Sequence, residues 1–161
     1  MIMLTLYLFR HEKAEPSMMS DFTRILTDTG RKRAADTTRL FKEIGYELPQ
    51  VIFASTAVRA QETAAIFIKN SGYAGKLRNC EELYSAGAED IMEFLAKNAG
   101  TAQTVMIVAH NPALESLAGR LLGMGTIMKP GHMAAIRLDM SSWSEDYIAK
   151  GKLIDLLRAE D

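Results

Sequence analysis

At 161 residues the chain is long enough to bury a sizeable core, and it is most simply one domain spanning residues 1–161. Its 48% hydrophobic and 24% charged residues fit an ordinary globular protein, and a formal net charge of −1 gives no electrostatic reason to expect nucleic acid or a membrane surface as partner. The lone Cys80 excludes an intramolecular disulfide, and Met1-Ile2-Met3-Leu4 lacks a basic stretch before its short apolar run, so no signal peptide is read and a cytoplasmic protein is expected.

The first predicted element is a buried strand over Leu4–Phe9, apolar throughout, which ends by delivering Arg10, His11 and Glu12. Ligands of an open α/β sheet gather at the carboxyl ends of its strands. Arginine carries a permanent charge on a planar fork that matches phosphate oxygens, and neutral histidine is available as a nucleophile near neutral pH. The pair therefore suggests a phosphoryl group held by Arg10 and attacked by His11. Ser17-Met18-Met19-Ser20 reads as a partly apolar loop bordering the pocket. A helix is predicted over Arg31–Ile44, with Ala34, Ala35, Phe41 and Ile44 on one side. Arg31, Lys32, Arg33 and Arg39 give that helix a basic stretch, read as a solvated face, with docking of an acidic protein as the alternative.

A second apolar strand, Val51–Ala54, ends at Ser55-Thr56, either of which can cap a helix over Ala57–Lys69, and places Arg59 in its first turn. A shorter helix is predicted over Glu89–Lys97. A third strand, Thr104–Ala109, ends at His110-Asn111-Pro112. Beyond it Leu114, Leu117, Ala118, Leu121 and Leu122 form a helical stripe. Ala134–Leu138 reads as a fourth strand, and Lys152–Arg158 has spacing compatible with helix or strand. Alternation of strands and helices predicts an α/β three-layer sandwich, a mainly parallel central sheet flanked by helices. Three strands then release anion-competent side chains along one sheet edge.

Leu6-Tyr7-Leu8-Phe9-Arg10-His11, the Ser55-x-x-x-Arg59-Ala60-x-x-Thr63-Ala64 segment and Val108-Ala109-His110-Asn111-Pro112 together resemble the histidine phosphatase superfamily, with its phosphoglycerate-mutase-like fold. Leu26-Thr27-x-x-Gly30-Arg31 and the short chain are similar to its SixA-type phosphohistidine phosphatases. The resemblance runs from about residue 4 to Ala135-Ile136-Arg137-Leu138. It implies His11 as a covalent nucleophile, with Arg10, Arg59 and His110 around the transferring group and Asn111 adding an amide donor. Glu82 matches the family's acidic position and is the expected general acid, with Glu12 and Glu15 as alternatives. Ser55 and His132 complete the expected substrate-contacting set. No metal or other cofactor is expected, because arginines can supply the positive charge.

Three departures stand out: Glu12 replaces the usual glycine and brings negative charge towards the anion site, Thr56 replaces a frequent proline, and His132 falls where a small or hydroxylated residue is usual. The expected function is a phosphatase acting on a phosphohistidine-bearing protein. A small-molecule phosphomonoesterase for a sugar or nucleotide phosphate is the alternative, as is a phosphate-binding module without turnover.

Overall fold

Residues of β1 (Leu4–Arg10) alternate between two apolar layers, and that period of two sets the architecture. A computed structural model describes residues 3–16 and 20–159, so most of the Ser17–Ser20 loop lies outside the described residues. The other strands are β2 (Val51–Ser55), β3 (Lys76–Cys80), β4 (Thr104–Ala109), β5 (Met133–Leu138) and β6 (Gly151–Leu157). The helices are α1 (Asp28–Ile44), α2 (Val58–Ser71), α3 (Ala88–Asn98) and α4 (Ala113–Leu122). Leu4, Leu6 and Leu8, with Val105 and Ile107 of β4, pack against Ile91 and Leu95 of α3 and Leu117 and Leu121 of α4. Tyr7 and Phe9, with Met106 and Val108, pack on the opposite face against Phe41 of α1 and Phe67 of α2.

The sheet runs in the order β3-β2-β4-β1-β5-β6. β3, β2, β4 and β1 pair in parallel, and β5 runs antiparallel between β1 and β6. The expected three-layer, mainly parallel sandwich is thus the observed one. Among the described residues, no helix is long and apolar enough to cross a membrane.

Several expectations need correcting. β3 was not foreseen: four of its five residues are exposed and Lys76 and Arg78 are charged, which suits an edge strand and erases the apolar signal. The ambiguous C-terminal segment is a strand, the opposite edge. α1 begins at Asp28, because the Thr27 side chain accepts the Gly30 N–H at 2.9 Å. Its buried face is Ala34, Thr37, Thr38 and Phe41, while Ile44 is exposed. A Cβ at Gly30 would lie 2.6 Å from the Lys13 carbonyl oxygen, so glycine lets the segment after β1 lie against this turn. Neither Ser55 nor Thr56 is the N-cap of α2; Ala57 is, and Ser55 Oγ accepts its N–H at 3.3 Å. The basic stretch of α1 is not a free cationic face either. Arg31 pairs with Asp28 and Glu62, Arg39 with Asp36, and Arg33 turns inward to Glu12.

Candidate active site

Register brings the site together. Arg10 pairs with Ala109, so His11 and His110 leave neighbouring strands side by side, with ring centroids 5.0 Å apart. β2 flanks β4 on its other side and supplies Ser55, followed by buried Arg59 in the first turn of α2. The resulting cavity, about 500 Å³, is lined by Arg10, His11, Arg59, His110 and Asn111, together with Asp21, Arg24, Tyr84 and Ser85.

His11 Nδ1 lies 2.8 Å from the Glu12 carbonyl, which accepts only, so the proton sits on Nδ1 and the Nε2 lone pair is left for chemistry. Arg59 Nε donates to that Nε2 at 3.1 Å. Burial, added to by His110 and the two arginines, holds the His11 pKa down to about 3, so the ring is neutral at physiological pH. His110 is likewise lowered to about 4, chiefly by burial and then by Arg59, and its Nε2 lies 2.7 Å from Ser55 Oγ. The Met128 carbonyl accepts from Arg10 Nη1 at 2.7 Å and from Asn111 Nδ2 at 3.0 Å, fixing both side chains. Arg10 Nε and His110 Nδ1 are buried without a protein partner. Unspent hydrogen-bonding capacity on two cavity residues, beside a neutral imidazole lone pair and two guanidinium groups, suits a tetrahedral oxyanion. Among the described residues, no group of three or more His, Cys, Asp or Glu side chains is placed to hold a metal ion.

The proposed acids lie elsewhere. Glu82 is exposed and does not line the cavity; Tyr84 and Ser85 reach it from the same loop. Glu15 is exposed and also outside it. Glu12 is fully buried and turned away, its Oε1 accepting from Lys13 N–H at 3.1 Å and pairing with Arg33 at 3.2 Å. Gly131, at φ +82°, packs on that carboxylate where a side chain would overlap it. His132 is used within its own turn, Nδ1 accepting the Lys129 N–H at 2.8 Å, and does not line the cavity. Ser55 acts behind His110 and also lies outside the lining.

Asp21 was missed by the sequence reading. It opens a short 3₁₀ turn, Asp21–Thr23, that leans over the strand ends. Its Oδ2 accepts from Arg59 Nη2 at 3.0 Å and Tyr84 OH at 2.8 Å, and Oδ1 accepts from Arg24 Nη1 at 2.9 Å. Phe22 packs edge-on against Tyr84, and Tyr84 against His110. The Tyr84 hydrogen bond, with those from Arg24 and Arg59, holds the Asp21 carboxyl down to about 2. The only sequence signal was Asp21 and Arg24 three residues apart just ahead of the Thr27 cap.

Sheet order and the histidines at adjoining strand ends match a phosphoglycerate-mutase-like fold, and in structure the chain is similar to SixA phosphatases. The protein histidine phosphatase SixA complexed with tungstate superposes with a TM-score of 0.82, covering 96% of this chain and 97% of that one at 18% identity. An Agrobacterium tumefaciens protein assigned as a SixA phosphohistidine phosphatase gives a TM-score of 0.82 at 24% identity, covering 98% and 99%. In sequence, the mitochondrial serine/threonine-protein phosphatase Pgam5 of Drosophila ananassae is 45% identical over 74 residues, 45% of this chain. The match spans only about a quarter of that relative's length. An uncharacterised Mycobacterium leprae protein is 28% identical over 122 residues, 73% of each chain. No family model matches the chain.

Proposed function

We propose that the protein is a phosphatase that works through a covalent phosphohistidine on His11 and takes its phosphoryl group from phosphohistidine on another protein. The observation that carries this reading is the His11 ring itself: neutral, with its proton on Nδ1 and its Nε2 lone pair 3.1 Å from Arg59 Nε. In the first step Nε2 attacks phosphorus, a P–Nε2 bond forms, and the bond to the leaving group breaks with its electron pair going to the leaving atom. Arg59 Nε turns from Nε2 to a phosphoryl oxygen, Arg10 opposes the charge on the others, and neutral His110 offers them a hydrogen bond from Nδ1. Water then attacks phosphorus: a P–O bond forms, the P–Nε2 bond breaks with its electron pair returning to Nε2, and both water protons leave with the phosphate, restoring neutral His11. Positive charge comes from Arg10 and Arg59, so turnover should persist in chelator. Likeness to SixA, a protein histidine phosphatase, supports the substrate class.

The test is phosphate release, in chelator, from a phosphohistidine protein and from small phosphomonoesters, with wild type and His11→Ala compared. Release from the phosphoprotein that disappears in His11→Ala is expected. Preference for a small phosphomonoester would replace the substrate class and keep the mechanism. Phosphate binding without release would leave a binding module instead.

A further inference from the structure

We propose that Asp21 is the specificity-determining residue of this site, favouring a leaving group that departs as a neutral nitrogen base, the imidazole of phosphohistidine, over one that departs as an alkoxide. The inference rests on the phosphatase reading above and names a residue that the sequence motifs did not contain.

Among the described residues, Asp21 is the only carboxylate that lines the cavity holding His11, Arg59 and His110. It is anchored on three sides, by Arg59, Tyr84 and Arg24, and its backbone carbonyl accepts Arg59 Nη1 at 2.7 Å. An ionised carboxylate offers about four acceptor sites. Three are filled here, and the side chain is still 52% exposed, so it can accept one more hydrogen bond from a group entering the cavity. Its donors also keep it ionised far below neutral pH, which bars it from acting as a proton donor. Tyr84 OH is already committed to Asp21, and the glutamates expected as acids lie outside the cavity.

Leaving-group chemistry then separates two substrate classes. When a phosphomonoester transfers to His11, the P–O bond breaks and the oxygen takes the electron pair as an alkoxide that needs a proton. Asp21 has none to give, and its charge opposes the charge developing on that oxygen. In phosphohistidine the P–N bond breaks and the ring nitrogen takes the pair. With a proton on its other nitrogen the ring is cationic before transfer and leaves as neutral imidazole, so nothing need protonate the departing atom. That N–H is a donor for the open acceptor site of Asp21, and the cationic ring is attracted to its charge.

Two peptides of one sequence, carrying phosphohistidine or phosphoserine at the same position, test this with wild type, Asp21→Asn and Tyr84→Phe. Asp21→Asn keeps the size and removes the charge, and with its oxygen left to Arg59 and Tyr84 its amide nitrogen gives up the Arg24 contact. It should lower the ratio of kcat/KM for the phosphohistidine peptide to that for the phosphoserine peptide by roughly tenfold or more, whatever loss the two share through Arg59. Tyr84→Phe removes one donor, keeps the charge, and should keep the preference. An equal fall on both peptides would show that Asp21 only holds Arg59 in place, and an unchanged ratio overturns the proposal. If wild type shows no His11-dependent release from either peptide, the phosphatase reading fails and this inference falls with it.

Discussion

Arg59 Nε donates to His11 Nε2 over 3.1 Å, so the lone pair proposed to attack phosphorus is held by the cation proposed to contact the phosphoryl oxygens. The same guanidinium reaches the Asp21 carbonyl at 2.7 Å and its carboxylate at 3.0 Å. Three nitrogens of one planar group thus fix the ring and the loop above it. An ammonium has no such fork. Arg59→Ala is expected to lower kcat/KM by about 10²- to 10³-fold, as loss of a transition-state donor does, and Arg59→Lys by nearly as much. Steady-state kinetics checks both; wild-type rates in the lysine variant would show that the planar contacts are not used.

The two cavity histidines carry a prediction about pH. Burial holds His11 to about 3 and His110 to about 4, against about 6.5 for an unfolded histidine. Between those values the unfolded chain binds more protons than the folded one, so stability rises with pH across the window. It is fully present above about 6.5 and is lost as pH falls towards the folded values. Nitrogen NMR should show both rings neutral at about pH 5, with the His11 proton on Nδ1. Urea midpoints should fall between about pH 7 and pH 5, less so in His11→Asn. A ring titrating near 6.5 would contradict the burial that keeps it neutral.

Much of this was legible before the structure, and the gaps have physical causes. β1, β2 and β4 are interior strands covered on both faces, so their apolar runs are continuous and their ends could be placed within a residue. Arg10 closes β1, His11 follows it, His110 and Asn111 follow β4, and Arg59 sits in the first turn after β2, so all five were found with those ends. β3 is an edge with exposed Lys76, Leu77, Arg78 and Asn79, which leaves no pattern to read. Asp21 and Tyr84 are 63 residues apart and meet only through loops crossing the sheet edge, so no periodicity links them. Glu82 was expected because the resemblance places an acidic residue there, while Tyr84 of the same loop reaches the cavity. Glu12 was read as a threat to the anion site because its partner, Arg33, lies 21 residues further on, on the inner side of α1.

Ser55 gives a finer test of how His110 is aimed. Its Oγ lies 2.7 Å from His110 Nε2 and accepts the Ala57 N–H, while His110 Nδ1 has no protein partner. Ser55→Ala removes the hydrogen bond that orients this ring. A stability loss of about 0.5–1.5 kcal/mol is expected, with kcat/KM falling roughly 3- to 10-fold. Thermal unfolding and steady-state kinetics check the two effects separately. An unchanged kcat/KM would mean that packing against Tyr84, at 5.7 Å between ring centroids, is enough to hold His110.

The buried Glu12–Arg33 pair lies behind His11. Glu12 has no exposed surface and Arg33 is 10% exposed, and the carbonyl of Glu12 is the group that sets the His11 tautomer. Burial pushes the Glu12 carboxyl up, while the Lys13 N–H and Arg33 pull it back down. Arg33→Ala leaves a buried carboxylate without its hydrogen-bonded cation, with only the charge of Arg158 still acting on it, and should cost about 3–5 kcal/mol near pH 7. Without Arg33 the carboxyl is raised further above its unfolded value of about 4.3, so the penalty for keeping it ionised grows with pH. The gap between wild type and Arg33→Ala should therefore be widest near pH 7 and narrow towards about pH 5, while the histidine contribution, common to both proteins, cancels. Urea unfolding of the two at both pH values measures that gap directly. A cost below about 1 kcal/mol at neutral pH would mean that Glu12 is already protonated in the folded protein, and that Arg33 contributes a neutral hydrogen bond rather than an ion pair.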